Sequence, residues 1–325
     1  MINGLDAVSR RLGYVRGTGS RAVELVLLLA ALSACGPLEE APFEDTLDTR
    51  ARELMSRQGL SLNGLSLNGL SLNGLSLNGL SLNGLSLNGL STAQFNDWFQ
   101  ENPTLHNQVM KYVVLCAVPA GETRTYTSGT GMSWSWPGSL GLAPAWSQGS
   151  PPSLTEQRVI SACLAAHANR FGVEIALSVQ GVGATGVPIP LGSGELQTYA
   201  EKEGCFFGNV FNAQEGLYAG NDGRPLNRRE STARACALHM KWPSSQQDCP
   251  PMMRIEPNCS EICTPSASGT YYTSCTYNGI VYPTITTRIL PEDIYMCGDG
   301  VCQVSEKCGT GTNFDNCQLD CGACP

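Results

Sequence analysis

The spacing of apolar and polar positions predicts short helices and then short strands between residues 92 and 290. Phe95, Trp98 and Phe99 recur at helical spacing behind Ser91-Thr92, whose hydroxyls suit an N-cap. Asn102-Pro103 opens a second helix, because proline is tolerated at the first helical position. Leu105, Val109, Tyr112, Val113 and Cys116 line its inner face, and Pro119 ends it. Thr123–Thr127 and Met132–Trp136 alternate on either side of Ser128-Gly129-Thr130-Gly131, which predicts a hairpin. A third helix carries the clearest signals. Ser153 and Glu156 form a capping box, Val159, Ile160, Cys163, Leu164, His167 and Phe171 form the stripe, and Gly172 supplies the stop. Val173–Val179 then reads as a strand, followed by the aromatic-rich run Glu203–Phe211. A loop at Asn221-Asp222-Gly223 leads to a short helix ending near His239. Asn278-Gly279, between Tyr271–Tyr277 and Ile280–Leu290, is a two-residue hairpin signal, and Pro283 places the second strand at an edge. Helices mixed with antiparallel hairpins predict an α+β domain over residues 92–290.

Upstream the pattern changes. Residues 1–21 are arginine-rich, Leu25 to Leu32 form an apolar run too short to span a bilayer, and small residues follow. That is the layout of a signal peptide, and Leu32-Ser33-Ala34-Cys35 resembles the lipobox of bacterial lipoproteins. The resemblance implies removal of residues 1–34 and membrane attachment through acyl chains on Cys35. Lipoproteins held at the inner membrane often carry aspartate at the next position. Gly36 stands there instead, which implies the outer membrane, facing the periplasm or the cell surface.

Residues 35–58 are polar and acidic, as in a linker. From Gly59 to Asn88 the unit Gly-Leu-Ser-Leu-Asn then occurs six times, closing with Gly89-Leu90-Ser91, so that residues 59–91 form one repeat segment. Each unit's Gly and Asn cost about 1 and about 0.6 kcal/mol relative to Ala in a helix. A five-residue period also alternates badly as a flat strand, since Leu60 and Leu62 face opposite to Leu65 and Leu67. Two readings stand: a low-complexity spacer, or a short β-solenoid. The unit resembles the pentapeptide-repeat family, with Leu62 in the central inward position, although Leu60 and Ser61 depart from the family's pattern.

Composition narrows the classes. The chain is 42% hydrophobic and 15% charged, with a net charge of −8. Removing residues 1–34, which hold four arginines against two acids, makes it −10. Such a surface repels polyanions and argues against nucleic acid as a partner. Of the 15 cysteines, Cys35 would be consumed by the lipidation that the lipobox resemblance implies, leaving 14. Eight lie between Cys116 and Cys275 and six within residues 297–325, as expected of two separately bridged regions in an oxidising compartment. Cys116 and Cys163 both sit on inner helix faces, which makes a bridge between them the first expectation. Cys205–Cys236, Cys249–Cys259 and Cys263–Cys275 are further expected pairings among the many that eight cysteines allow.

Met110–Cys116, Gly141–Trp146, Ser161–Leu164 and Gly208–Phe211 resemble segments of a group of exported bacterial proteins, many of them lipoproteins; the resemblance implies no activity. The last 29 residues run Cys297-Gly-Asp-Gly-Val-Cys302, Glu306-Lys-Cys308, Cys317-Gln-Leu-Asp-Cys321-Gly-Ala-Cys324. They resemble six-cysteine repeats, CGDGxC at their start, at the ends of exported bacterial proteins, with Gly309–Asn316 as an insertion. So short a module cannot build a core and needs its bridges. Asp299, Glu306, Asp315 and Asp320 are hard oxygen donors that would suit Ca²⁺, or else cap turns.

Few residues elsewhere point to catalysis. His167 lies one turn after Cys163, and His106 and His239 have no visible partner. Glu174, Glu195, Glu201, Glu203 and Asp222 are carboxylates that would serve glycoside hydrolysis only if two of them stand at the right separation. Trp134, Trp136, Trp146, Phe206 and Phe207 belong to the core or to a sugar- or peptide-binding groove. Gln214–Glu230 would act as an inhibitor loop if it protruded on a disulfide brace. The expectation is a surface-displayed, non-catalytic lipoprotein that binds a polysaccharide or another surface protein. The alternative is an exported hydrolase of envelope or prey polymers.

Overall fold

Three helices form where the capping signals stand. Helix α1 (Ala93–Glu101) begins at Thr92, whose Oγ1 accepts the Phe95 N–H, and α2 (Pro103–Ala117) begins at Asn102, whose Oδ1 accepts the Leu105 N–H. Helix α3 (Leu154–Ala166) carries the expected capping box. Buried Glu156 goes further there: its Oε1 also accepts the backbone N–H groups of Ala145 and Trp146, fixing the preceding helical turn to the start of α3. The computed structural model describes residues 65–68, 70–71, 87–169, 173–212, 214–234 and 252–325. The lipobox with Cys35, the linker, Phe171, Gly172, Cys236, Cys249 and the helix expected near His239 lie outside the described residues.

The strands run β1 (Leu65–Asn68), β2 (Leu70–Ser71), β3 (Thr123–Thr127), β4 (Ser133–Pro137), β5 (Ala168–Asn169), β6 (Ile175–Gly181), β7 (Glu201–Gly208) and β8 (Leu217–Asn221). They continue with β9 (Glu230–Ser231), β10 (Met252–Arg254), β11 (Cys263–Pro265), β12 (Tyr272–Tyr277), β13 (Ile280–Pro283), β14 (Ile285–Ile289), β15 (Tyr295–Met296), β16 (Thr312–Asn313) and β17 (Asn316–Cys317). The principal sheet has six strands in the order β1-β6-β14-β7-β8-β10, antiparallel except for β8 and β10. This is the α+β architecture expected.

The sheet is covered on both faces. Phe206 joins the larger core with α2, α3, Leu177, Val179 and Ile285, whereas Cys205 and Phe207 point into a second cluster with Tyr218, Tyr272, Cys275 and Tyr282. Successive strand residues face opposite sides, so the second half of β7, Gly204–Gly208, reads as an apolar run because both sides are dry there. All the aromatics considered for a groove are packed inside: Trp136, Trp146, Phe206 and Phe207 are buried, and half-buried Trp134 lies against Phe99 and Tyr126. The described repeat residues form no solenoid. Leu65–Asn68 adds an antiparallel edge to β6, and Leu70–Ser71 pairs with β5.

The expected strand Ile280–Leu290 is two strands. Pro283 lacks an N–H and closes β13 at the edge of a three-stranded sheet, and the chain then re-enters the principal sheet as β14, between β6 and β7. Helix α3 ends at Ala166, with His167 at its C-cap, short of the predicted stop.

Six bridges are present among the described residues. Cys116–Cys163 staples α2 to α3, at a typical gain of about 2–4 kcal/mol, and Cys263–Cys275 joins opposed positions of β11 and β12. Cys205 pairs with Cys259, not Cys236, so the expected Cys249–Cys259 bridge is absent as well. The reason is topological: β10 runs parallel to β8 and returns the chain across the sheet, over Gly220, which stands opposite Cys205. A Cβ at Gly220 would come within 3.0 Å of both sulfurs, so only glycine leaves room for the bridge. The C-terminal cysteines pair Cys297–Cys317, Cys302–Cys321 and Cys308–Cys324, and no bridge joins them to the other set. Backbone bonds hold this module to the domain. Strand β15 pairs with β9, and Phe314, buried within the insertion, donates its N–H to the Arg228 carbonyl.

Candidate functional site

A small open cleft lies along the start of β7 and the loop after β8. Glu201, Lys202, Asn221, Gly223 and Arg224 supply its polar wall, and Leu226, Ile289 and Ile294 its apolar one. The sheet builds this site through a β-bulge. Thr287 stands opposite Gly204 and Arg288 opposite Lys202, so Glu203 is the extra residue on β7 and its side chain is re-aimed. Gly223 lets the loop pass close, since a Cβ there would lie 2.0 Å from the Lys202 carbonyl oxygen.

Each acid around the cleft has a donor. Arg224 grips Glu230 through both terminal nitrogens, at 2.7 and 3.0 Å, and its Nε lies 3.5 Å from Glu201. The Arg224 hydrogen bonds hold the Glu230 carboxyl below the usual range, against the opposing effect of burial. Lys202 Nζ is 3.4 Å from Asp222, which also accepts the Tyr272 hydroxyl at 2.6 Å. Burial first, and then Asp222, raises the Tyr272 hydroxyl well above its ordinary range. Glu203 accepts from Arg234 Nε at 2.9 Å and from the Thr287 hydroxyl at 2.6 Å.

Arg234 carries no motif and is missed by inspection of the sequence. Its Nη1 donates to the carbonyls of Ala166 and Ala168, its guanidinium lies 4.7 Å from the Phe206 ring, and it is 3% exposed. It thereby satisfies a carbonyl at the C-terminus of α3 and ties that end to the sheet.

The other acids considered are also engaged. Glu195 is buried and accepts from the Ser178 hydroxyl and the Gly192 N–H, and Glu174 pairs with Lys111 at 2.8 Å. The carboxylates therefore serve as acceptors in fixed pairs. A glycosidase needs one held as acid and a second available to water or sugar. His106 stacks on Trp98 and is buried. His167 is fully buried, 3.7 Å from the bridged sulfur of Cys163, with its Nδ1 donating to the Cys163 carbonyl at 2.8 Å. Burial above all, aided by Arg234, lowers its pKa to about 4, a neutral packing role. Gln214–Glu230 contributes β8 to the sheet and is pinned by Arg224–Glu230, without a bridge of its own among the described residues, so it does not form a braced inhibitor loop.

In the terminal module the four acids do not form one oxygen cage. Asp320 accepts the N–H groups of Gly298, Asp299 and Gly300. Those bonds outweigh burial and keep its carboxyl below the usual range. Asp299 accepts from Val301 N–H and Gln303 Nε2, and Glu306 from Gln303 N–H. Among the described residues Glu306 and Asp320 approach one another beside Cys297 and Cys317, which are bridged and cannot act as thiolates, while Asp315 lies outside that group. Ca²⁺ takes six to eight oxygens, and here converging N–H groups face Asp320. That is the arrangement of turn capping.

Among the described residues no helix is long and apolar enough to cross a membrane. Comparison with protein-family models, curated proteins and solved structures returned no match.

Proposed function

We propose that the chain is a surface-displayed bacterial lipoprotein, anchored through Cys35, whose α+β domain is a non-catalytic binding module for an uncharged polysaccharide of the envelope. The observation that carries this reading is the charge-paired cleft. The lining residues Glu201, Arg224 and Lys202 are neutralised locally, Arg224 by Glu201 and by Glu230 outside the lining and Lys202 by Asp222, beside apolar Leu226, Ile289 and Ile294. Such a wall offers little field to an ion. It does offer lone pairs and N–H groups to sugar hydroxyls, and an apolar strip to a sugar face. Arg224 is 45% exposed at its side chain and can reach a ligand.

The same pairing counts against the hydrolase alternative, since each candidate acid is already held by a donor. Placement in the outer membrane rests on the lipobox and Gly36, and the bridged cysteines fit an oxidising compartment. The acidic net charge disfavours nucleic acid.

Two measurements test the reading. Cys35→Ser should move the protein from the membrane fraction to the soluble one; unchanged fractionation removes the anchor. Neutral envelope polysaccharides immobilised on a sensor should retain the protein, and Arg224→Ala should lower the affinity at least tenfold. Equal binding by the variant, or release of reducing ends from the polymer, would overturn the non-catalytic cleft.

A further inference from the structure

The edge of the principal sheet is formed by one unit of the repeat, Leu65-Ser66-Leu67-Asn68, paired antiparallel with β6: Leu65 opposite Ser178, Ser66 opposite Leu177, Leu67 opposite Ala176 and Asn68 opposite Ile175. The next unit supplies Leu70–Ser71, paired in parallel with Ala168–Asn169 of β5. Identical Leu-Ser-Leu-Asn units stand at 60–63, 70–73, 75–78 and 80–83. The last one, from Leu85, runs into the helical turn Leu87–Leu90.

We propose that the β6 edge is a reusable strand acceptor: a neighbouring unit can replace Leu65–Asn68, so the repeat engages its own domain in more than one equivalent register, spaced one unit apart. A slip of one residue turns every side chain to the opposite face and is penalised wherever one face is buried. A slip of five residues restores Leu, Ser, Leu and Asn to the same positions, and no face changes. The ladder itself is made by backbone groups, which are the same in every unit. Because β1 is the outermost strand, exchange breaks only its ladder to β6 and the two-residue pairing with β5. The shift also brings an identical Leu-Ser pair to β5, so both docking places are refilled together. Shortening the connection to Leu87 by one unit changes the loop-closure probability by only about twofold. No side chain therefore distinguishes the registers. Where Cys35 anchors the chain, as proposed above, each step changes the free tether by five residues, or about 16 Å when extended.

The test is amide hydrogen exchange of the full chain, followed over peptides covering Ile175–Gly181. Ser66→Pro with Leu67→Pro removes a ladder N–H from one unit whichever of the two residues faces β6. Protection of β6 should stay within about twofold of wild type, because a neighbouring unit docks. The same pair of prolines in all five units from Leu60 to Asn83 should speed exchange of the β1-facing amides more than tenfold. Loss of protection in the single-unit variant as large as in the five-unit variant means one register and overturns the proposal. So does full protection in the five-unit variant. Should the five-unit variant fail to fold, a version with residues 59–83 replaced by Gly-Ser takes its place, and the synthetic peptide Gly-Leu-Ser-Leu-Asn-Gly added in excess should restore β6 protection where a scrambled peptide does not; equal effects of the two peptides overturn it. A concentration-dependent dimer in wild type, absent from the five-unit variant, would place the strand in a second copy and also overturn it. None of these readouts senses membrane attachment, so failure of the anchor and failure of the registers are told apart.

Discussion

His167 gives the sharpest test of the core. Its imidazole is fully buried between the Cys116–Cys163 bridge, the Tyr112 ring at 5.6 Å and the Arg234 charge, and its pKa falls from 6.5 to about 4. A lowered histidine pKa means that the unfolded chain takes a proton below about 6.5 while the folded chain resists until about 4. Stability therefore declines as pH drops through that window, and below about 4 the loss is complete, on the order of 3 kcal/mol. Asparagine places an N–H where Nδ1 now donates to the Cys163 carbonyl but does not titrate. Guanidinium unfolding, with the bridges intact, of wild type and His167→Asn at pH 7 and pH 4.5 isolates the effect, because carboxylates common to both proteins cancel. The stability difference between the two proteins should move by about 2 kcal/mol in favour of the variant at the lower pH. Parallel pH profiles would refute the reasoning.

Three further outcomes follow from the same geometry. Glu203→Gln leaves the Arg234 guanidinium buried without its counter-charge and should cost about 3–5 kcal/mol; a thermal midpoint within error of wild type contradicts this. Asp320→Asn weakens the acceptor of three backbone N–H groups, so the terminal module should be cleaved faster by protease, whereas a chelator should leave wild type unchanged. Because the folded Asp320 pKa is lowered, its contribution is present above the ordinary carboxylate range and should fade as pH falls below it; added Ca²⁺ that protects wild type would reinstate the cation site. Where Cys35 is acylated, as proposed, thiol titration of the denatured, unreduced protein should find no free thiol, which with the six observed bridges leaves Cys236 and Cys249 to each other; one or more equivalents would refute it.

Local chemistry announced much of the architecture. Thr92, Asn102 and the Ser153–Glu156 box start the helices where they were expected, because a cap is a contact within four residues and is written in the chain. The Asn278-Gly279 hairpin forms for the same reason, with Asn278 at φ 50° and Gly279 at φ 76°, values their neighbours would resist. The Cys116–Cys163 bridge was legible because two helix stripes each placed a cysteine inward. The charge-paired cleft was not. Glu201, Glu203 and Asp222 are visible as acids, but only a bulge in β7, a loop folded back from β8 and the distant Arg234 decide which donor each one meets.

What the sequence determined by itself is therefore the set of local instructions: caps, turns, the crowding of six cysteines into the last 29 residues, and a repeat of strict five-residue period. Tertiary structure alone decided the pairings between positions remote in the chain. It brought Cys259 to Cys205 across Gly220, moved Ile285–Ile289 from a hairpin arm to the centre of the sheet, and drew one repeat unit onto its edge. The physical reason is range. A cap or turn is settled by atoms a few residues apart, whereas a ladder, a bridge or a buried ion pair depends on which segments share one dry interior.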